Sequence, residues 1–253
     1  MHWTQSVARS ELHSQIVKTL VLVLGARVAP YPALIRTIKS TWASSPVAGA
    51  EVLFYYGGEE LAEDGNELVL PVSDGALSIG RKTIACFGHV LEHHEFDLIF
   101  RTNCSSYVDL PNLSAYATRH ARPSGFYSGF IGYRGELAFA SGSGYFLSRD
   151  LAALAVSERE RWDHVLPDDQ ALAAVLAQHG VQPEPAPRQN FDRLRRVRDV
   201  DTSLYHFRCR TYTRRRVEDE RIMREVHRVF CRARGARLSD GPLRWIRRML
   251  PIL

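Results

Sequence analysis

Three short apolar runs, set apart by helix-length stretches, constrain this chain more than any other feature. Residues 18–25 (KTLVLVLG), 51–56 (EVLFYY) and 96–100 (FDLIF) are each the length of a strand, and each stops at turn-forming residues: Gly25, the pair Gly57-Gly58, and the polar cluster Thr102 to Ser106. Between the first two runs, Leu34, Ile35 and Ile38 recur at helical spacing after Pro30, through about Trp42. Strand, helix, strand in this order predicts the opening of a nucleotide-binding α/β layer. In such a sheet, ligands bind in the crevice outside the carboxyl ends of the strands. That directs attention to Gly25, Arg27 and the stretch 101–106.

The remaining pattern continues the alternation. Residues 67–71 read as a short strand. Residues 78–93 read as a helix with Ile79, Ile84, Phe87, Val90 and Leu91 on one side, and Asp109 caps a further helix with Pro111 in its first turn. Two short strands are predicted at 126–131 and 136–140. A small-residue turn, Ser141-Gly142-Ser143-Gly144, then leads into a strand and a helix capped by Ser148 or Asp150. Leu166-Pro167-Asp168-Asp169 opens an apolar helix running to about residue 178, where acidic groups suit a helix N-terminus.

Beyond residue 180 the composition changes. A proline-rich connector (182–187) precedes an aromatic and basic stretch (204–212) whose His206, Arg208 and Arg210 share one face if extended. A helix follows at 217–232 with Val217, Ile222, Val226 and Phe230 as its apolar stripe. The expected organisation is a core at 1–180 and a basic, helical C-terminal extension at 181–253 that completes the site.

Composition narrows the function. An apolar fraction of 45% supports a sizeable core, and no apolar run approaches the roughly 18 residues of a membrane span. The first 15 residues carry no signal-peptide core, which predicts a cytoplasmic chain. Cys86, Cys104, Cys209 and Cys231 are widely spaced and predict reduced thiols. The net charge of +5 is concentrated in arginines from Arg188 onward, favouring an anionic partner: a nucleotide diphosphate, nucleic acid, or an anionic membrane met by the basic, apolar segment Arg244 to Leu253. No G-x-G-x-x-G, P-loop or G-x-S-x-G pattern occurs, so dinucleotide, kinase-type and conventional serine-hydrolase sites are unsupported.

Three stretches in order carry a family resemblance. Arg101-Thr102-Asn103-Cys104-Ser105-Ser106-Tyr107-Val108 follows its strand as Lys-Thr-Asp-Asp-Asp-x-Phe-Val does in Fringe and β-1,3-galactosyltransferase-like enzymes, with all three aspartates replaced. The segment from Ser141 to Asp150 and the Leu166-Pro167-Asp168-Asp169 stretch are similar to the family's next two motifs, and Lys82-Thr83 matches its Lys-Thr pair. The resemblance implies a single GT-A domain, a mixed sheet flanked by helices, and an inverting transfer of a sugar from a nucleotide-diphosphate donor, such as a UDP-sugar. The acceptor would be a glycan hydroxyl, as in a bacterial surface polysaccharide, and a cytoplasmic enzyme at the inner membrane face would suit it.

By the same resemblance, Asp168 or Asp169 is the general base and Ser141, Gly142, Ser143 and Gly144 face the acceptor. Gly25, Arg27, Lys82, Arg101, Asn103, Ser105, His206, Arg208 and Arg210 are the candidate donor contacts. The family's divalent metal, Mn2+ or Mg2+, would have only Asn103 and His206 as ligands here, or arginines would replace it. Two other readings remain open: a non-catalytic glycan- or nucleotide-binding module, and a nucleic-acid-binding or -modifying protein using the arginine-rich third. Against the last, that third carries no recognition motif.

Overall fold

The computed structural model describes residues 16–213 and 216–235. Strands β1 (Thr19–Leu24) and β2 (Ala50–Gly57) pair in parallel, joined by helix α1 (Tyr31–Lys39), which has proline in its first turn and buries Leu34, Ile35 and Ile38 as its periodicity requires. A hairpin follows: β3 (Ala62–Asp64) is antiparallel to β4 (Glu67–Leu70), which runs parallel to β2. Helix α2 (Ile79–His93) leads to β5 (Leu98–Asn103), parallel to β1 on its other side.

After β5 come β6 (Ser106–Val108) and α3 (Leu110–His120), whose Asp109 cap accepts from the Asn112 N–H at 3.1 Å. Strands β7 (Tyr127–Arg134) and β8 (Leu137–Ser148) form an antiparallel pair, and β8 also runs antiparallel to β5. Helices α4 (Arg149–Ser157) and α5 (Asp168–Gln178) come next, then β9 (Glu184–Pro185), β10 (Gln189–Phe191), β11 (His206–Cys209) and α6 (Val217–Ala233).

The main sheet is mixed, in the order β3-β4-β2-β1-β5-β8-β7-β9, with a small second sheet β10-β11-β6. Side-chain alternation divides the core into two layers. Val21, Val23, Phe54, Leu98, Phe100 and Phe146 face α1, α3 and α6. Leu20, Leu22, Leu53, Tyr55, Ile99 and Leu147 face α2, α4 and α5.

The C-terminal segment interleaves with what precedes it. The proline-rich connector lays β9 against β7, and β6 pairs with β11. Ile222, Met223, Val226 and Phe230 of α6 are fully buried, each worth about 1.5–3 kcal/mol of burial. Val217 departs from the predicted stripe: it is 49% exposed at the first turn of α6. Residues 1–15 and the basic, apolar segment Arg244 to Leu253 lie outside the described residues. Among the described residues, no helix is long and apolar enough to cross a membrane.

One prediction is corrected. Residues Leu137–Ser148 are a single strand, and Ser141 to Gly144 are not a turn between two. They form an excursion within β8: Gly129 pairs with Tyr145 and Ile131 with Ala140, so Phe130 alone spans what β8 fills with four residues. Pairing with β5 resumes at Gly144, opposite Thr102, and the Thr102 hydroxyl donates to the Ser143 carbonyl at 2.6 Å; a local reading of Gly and Ser does not detect either contact.

Candidate active site

A cleft of about 350 Å³ opens at the carboxyl ends of β1 and β5, the size range of small-ligand sites. Leu24, Gly25, Asn103, Cys104 and Ser105 lie where those strands end. Val28, Tyr31, Ala76 and Ile79 add apolar surface, and Lys82, Arg210 and Arg216 supply cations. Gly25 is required by close approach, because a Cβ there would stand 2.3 Å from the Tyr56 ring.

Lys82 is buried, its Nζ donating to the Asp74 carboxylate at 2.9 Å and to the Gly25 carbonyl at 3.3 Å. Asp74 also accepts from the N–H groups of Arg27 (2.6 Å) and Gly57 (3.0 Å). Burial opposes its ionisation, but the Arg27 N–H, Lys82 and the Gly57 N–H outweigh it and hold the carboxyl below its ordinary range. Arg27 therefore reaches this region through its backbone; its guanidinium lies exposed, 5.8 Å from the Tyr56 ring centre.

The opposite wall is arginine. Asp219, fully buried, accepts from the Thr211 N–H (2.7 Å), the Thr211 hydroxyl (2.6 Å) and the Arg216 Nε (2.7 Å), with Arg210 Nη1 at 3.8 Å. Arg216 holds a left-handed backbone, φ 54°, which costs a non-glycine residue about 1 kcal/mol or more and persists only where the surroundings fix it. Its Nη2 and the Nη1 of Arg210 are buried with no hydrogen-bond partner among the described residues. Unpartnered cationic donors in a cleft are costly unless an anion meets them.

Behind the Asn103 wall stands a second cluster. Arg101 is 1% exposed and pairs with Asp168 at 2.5 Å, donates to the Tyr55 hydroxyl at 3.2 Å and bonds the Gly142 carbonyl. Burial alone would lower its pKa; Asp168, Tyr55 and Tyr145 outweigh that and raise it. Thr83 donates to Asp168 at 2.9 Å. Thus Arg101, expected to touch the donor, is committed to the interior, and so is Asp168.

Asp169 differs: one oxygen accepts from the Gly142 N–H at 2.7 Å, and the carboxyl pKa is raised by burial and by neighbouring Asp168. Gly142 joins the two places, since its carbonyl also accepts from Asn103 Nδ2 at 3.1 Å. Asp169 stands beside the cleft through that link rather than within its lining.

His206 is corrected as a donor or metal contact. It is 1% exposed, its Nε2 donates to the Ser143 carbonyl at 3.0 Å, and it does not line the cleft. Burial and the nearby Arg188 and Arg208 pull its pKa down to about 3. Arg208 sits near His206 and Arg188 rather than in the cleft lining, and its Nε is buried without a partner. Arg188 reaches the hydroxyls of Ser141 (3.1 Å) and Ser143 and lies 3.8 Å over the partly exposed Phe130 ring.

The described residues of the cleft do not fit a divalent metal. Hard cations take several carboxylate or carbonyl oxygens. The cleft's one lining carboxylate, Asp74, is already taken by two N–H groups and Lys82, and Asn103 Oδ1 accepts from the Ser105 N–H (3.0 Å) and hydroxyl (2.9 Å). Cys104 is equally committed, donating to the Leu24 carbonyl, and burial pushes its thiol up to about 12.

Of the expected donor contacts, Gly25, Lys82, Asn103, Ser105 and Arg210 line the cleft together. Sequence reasoning missed Asp74, Tyr31, Arg188, Arg216 and Asp219. The arginines belong to a basic third already noted as a whole; Asp74 lies in a Ser-Asp-Gly turn whose partners are distant in sequence, and nothing local marks it.

The fold is a mixed α/β sheet flanked by helices, of the GT-A glycosyltransferase type. Among solved structures, it is similar to a glycosyltransferase involved in the glycosylation of the major capsid of PBCV-1, with a TM-score of 0.53 and 9% identity over 81% of this chain and 98% of that one. A mannosyltransferase, PcManGT from Pyrobaculum calidifontis in complex with GDP-Man and Mn2+, aligns with a TM-score of 0.48 and 14% identity over 89% of this chain and 66% of that one. At such identities the likeness extends to the fold alone. The chain matches no protein-family model and no curated protein.

Proposed function

We propose that this chain is a glycosyltransferase whose cleft binds a nucleotide-diphosphate sugar, a UDP-sugar in the first instance, and meets the diphosphate with Arg210, Arg216 and Lys82 in place of a metal. The observation that carries the reading is the pair of buried, unpartnered guanidinium nitrogens at the strand ends of a glycosyltransferase fold. Apolar Val28, Tyr31 and Ile79 suit a nucleobase and ribose face.

In the transfer step, an acceptor hydroxyl attacks the anomeric carbon, the bond to the diphosphate oxygen breaks, and the configuration inverts. Asp169 takes the hydroxyl proton; its raised pKa makes it a better proton acceptor than an ordinary carboxylate, and it is free of the ion pair that holds Asp168. Charge developing on the departing diphosphate is stabilised by fixed cations. Half-buried Ser141, with Arg188 over the Phe130 ring, offers a hydroxyl and an aromatic face for a glycan acceptor, such as a surface polysaccharide, whereas Gly142, Ser143 and Gly144 are buried behind it and do not face an acceptor. The Fringe-like order of motifs supports inversion.

Calorimetric titration with UDP- and GDP-sugars, in EDTA and again with Mn2+, tests this. Binding of similar strength in both is expected. Binding only with Mn2+ overturns the metal-free diphosphate site, and no binding in either overturns the donor reading. Donor binding without turnover across an acceptor panel would favour the non-catalytic module.

A further inference from the structure

The outer edge of the main sheet carries a cluster that the donor cleft does not use. Glu63, on β3, stands against two histidines at the far end of α2. His89 Nε2 lies 2.7 Å from one carboxylate oxygen and His94 Nε2 lies 2.9 Å from the other. The three ligand atoms are all within 4.8 Å of one another; the two histidines are half-buried and Glu63 is exposed.

Both imidazoles turn the same nitrogen, Nε2, toward one carboxylate. A zinc ion bonds histidine nitrogen and carboxylate oxygen at about 2.0–2.2 Å, which sets neighbouring ligand atoms about 3.3 Å apart in a tetrahedral site. The two carboxylate–imidazole spacings here, 2.7 and 2.9 Å, are shorter than that value, so an ion enters as the side chains part by about half an ångström. Binding needs the Nε2 lone pairs, with each ring proton on Nδ1. The Glu51 carboxylate, 3.9 Å from His94 Nδ1, stands ready to accept that proton's hydrogen bond.

We propose that Glu63, His89 and His94 form a binding site for a divalent transition ion of the zinc class, with water as fourth ligand, that fastens β3 to the end of α2. Two imidazoles and one carboxylate select zinc, copper or nickel over magnesium, calcium or manganese. The mechanical reason lies in β3 itself: an edge strand of three exposed residues, paired only with β4, has little apolar burial to hold it. This site is independent of the donor reading.

The test uses tag-free protein stripped with EDTA and exchanged into chelator-free buffer. Calorimetric titration with Zn2+ should show about one equivalent bound and a raised melting temperature, while Mn2+ leaves the melting temperature unchanged. Glu63→Gln, His89→Gln and His94→Gln should each weaken Zn2+ binding at least about tenfold, the least that loss of a ligand costs when loss of its outer partner costs that much. Co2+ should give the absorption of a four-coordinate nitrogen and oxygen site, lost in His94→Gln. Melting of the metal-free variants at the wild-type temperature shows that they fold. Zn2+ binding weaker than about 100 μM overturns the proposal. So does binding undiminished in the triple variant, including binding abolished by Cys231→Ser, which would move the ion to the Cys231–His227 pair.

Discussion

Asp168→Asn should be among the most destabilising isosteric changes in the protein. The carboxylate is 5% exposed, pairs with the 1% exposed Arg101 at 2.5 Å, and accepts from Thr83 at 2.9 Å. Thr83 in turn shares a 3.1 Å hydrogen bond with Tyr55, which accepts from Arg101 at 3.2 Å, so the four groups form a closed loop. Asparagine keeps the shape but removes the charge and can turn an N–H toward the guanidinium. Breaking a buried pair by removing one partner costs about 3–5 kcal/mol, because the other charge stays buried. A domain of this size holds about 5–15 kcal/mol in all and loses roughly 2–4 °C of melting temperature per kcal/mol, so a fall of about 6–20 °C is expected.

Thermal melts and urea titrations measure that fall, and the double variant Arg101→Met/Asp168→Leu should recover much of it by removing both charges. Asp169→Asn is the contrast. Its remaining oxygen can still accept from Gly142, and only the 3.0 Å bond from the Gln170 N–H is lost, so stability should change by about 1–2 kcal/mol while transfer is abolished. If Asp168→Asn melts within 1 °C of wild type, or is fully stable yet inactive, the assignment of one carboxylate to structure and the other to catalysis fails.

Arg210→Gln should weaken nucleotide-sugar binding in EDTA by roughly 10- to 150-fold, the loss of one charge-assisted hydrogen bond, read by calorimetry. Gly144→Ala would place a Cβ 2.4 Å from His206 Cε1 and 2.7 Å from Phe100 Cζ, and should cost about 1–3 kcal/mol in urea unfolding. The acid limb of kcat/KM should lie above the ordinary carboxylate range, with rate lost as pH falls through the raised Asp169 pKa and its base form is protonated. His206, held neutral with a folded pKa of about 3 against an unfolded value of 6.5, contributes stability that is present above pH 6.5 and lost as pH falls toward 3. At pH 4.5 that loss is roughly 2–3 kcal/mol, and His206→Gln should flatten that part of the pH–stability curve.

The alternation of apolar runs with helical periodicity was enough to anticipate β1, α1, β2, β4, α2 and β5, because each carries its own burial pattern. What could not be read locally depends on pairing across distance. Ser141 to Gly144 look like a turn in one dimension. Their place in β8 is set by β5 on one side, and by the Ser143 carbonyl accepting from Thr102 (2.6 Å), Ser106 (2.6 Å) and His206 (3.0 Å). Histidine in a basic stretch reads as a surface ligand, yet the packing of β11 against β6 turns His206 inward. The carboxylate pair was visible as a motif; the division of labour within it was not, because Arg101 is 67 positions away and its preference for Asp168 exists only once β5 and α5 meet.

The absence of carboxylates among Asn103 to Ser106 has a physical counterpart elsewhere in the chain. A metal brings mobile positive charge to a diphosphate and needs carboxylates to hold it. Here the carboxylates hold cations belonging to the protein: Asp74 fixes Lys82, and Asp219 fixes Arg216 with Arg210 close by. Each is itself immobilised, Asp74 by two backbone N–H groups and Asp219 by the Thr211 N–H and hydroxyl. Such cations need no reorganisation when charge appears before them, which is the condition under which electrostatic stabilisation contributes most to a transition state. Arg216 holds its left-handed backbone together with its 2.7 Å hydrogen bond to Asp219, a strain that persists only where the surroundings fix it. Because Asp74 already neutralises Lys82, while Asp219 is shared between two arginines, the surplus positive charge falls at Arg210 and Arg216, where an incoming diphosphate would find it.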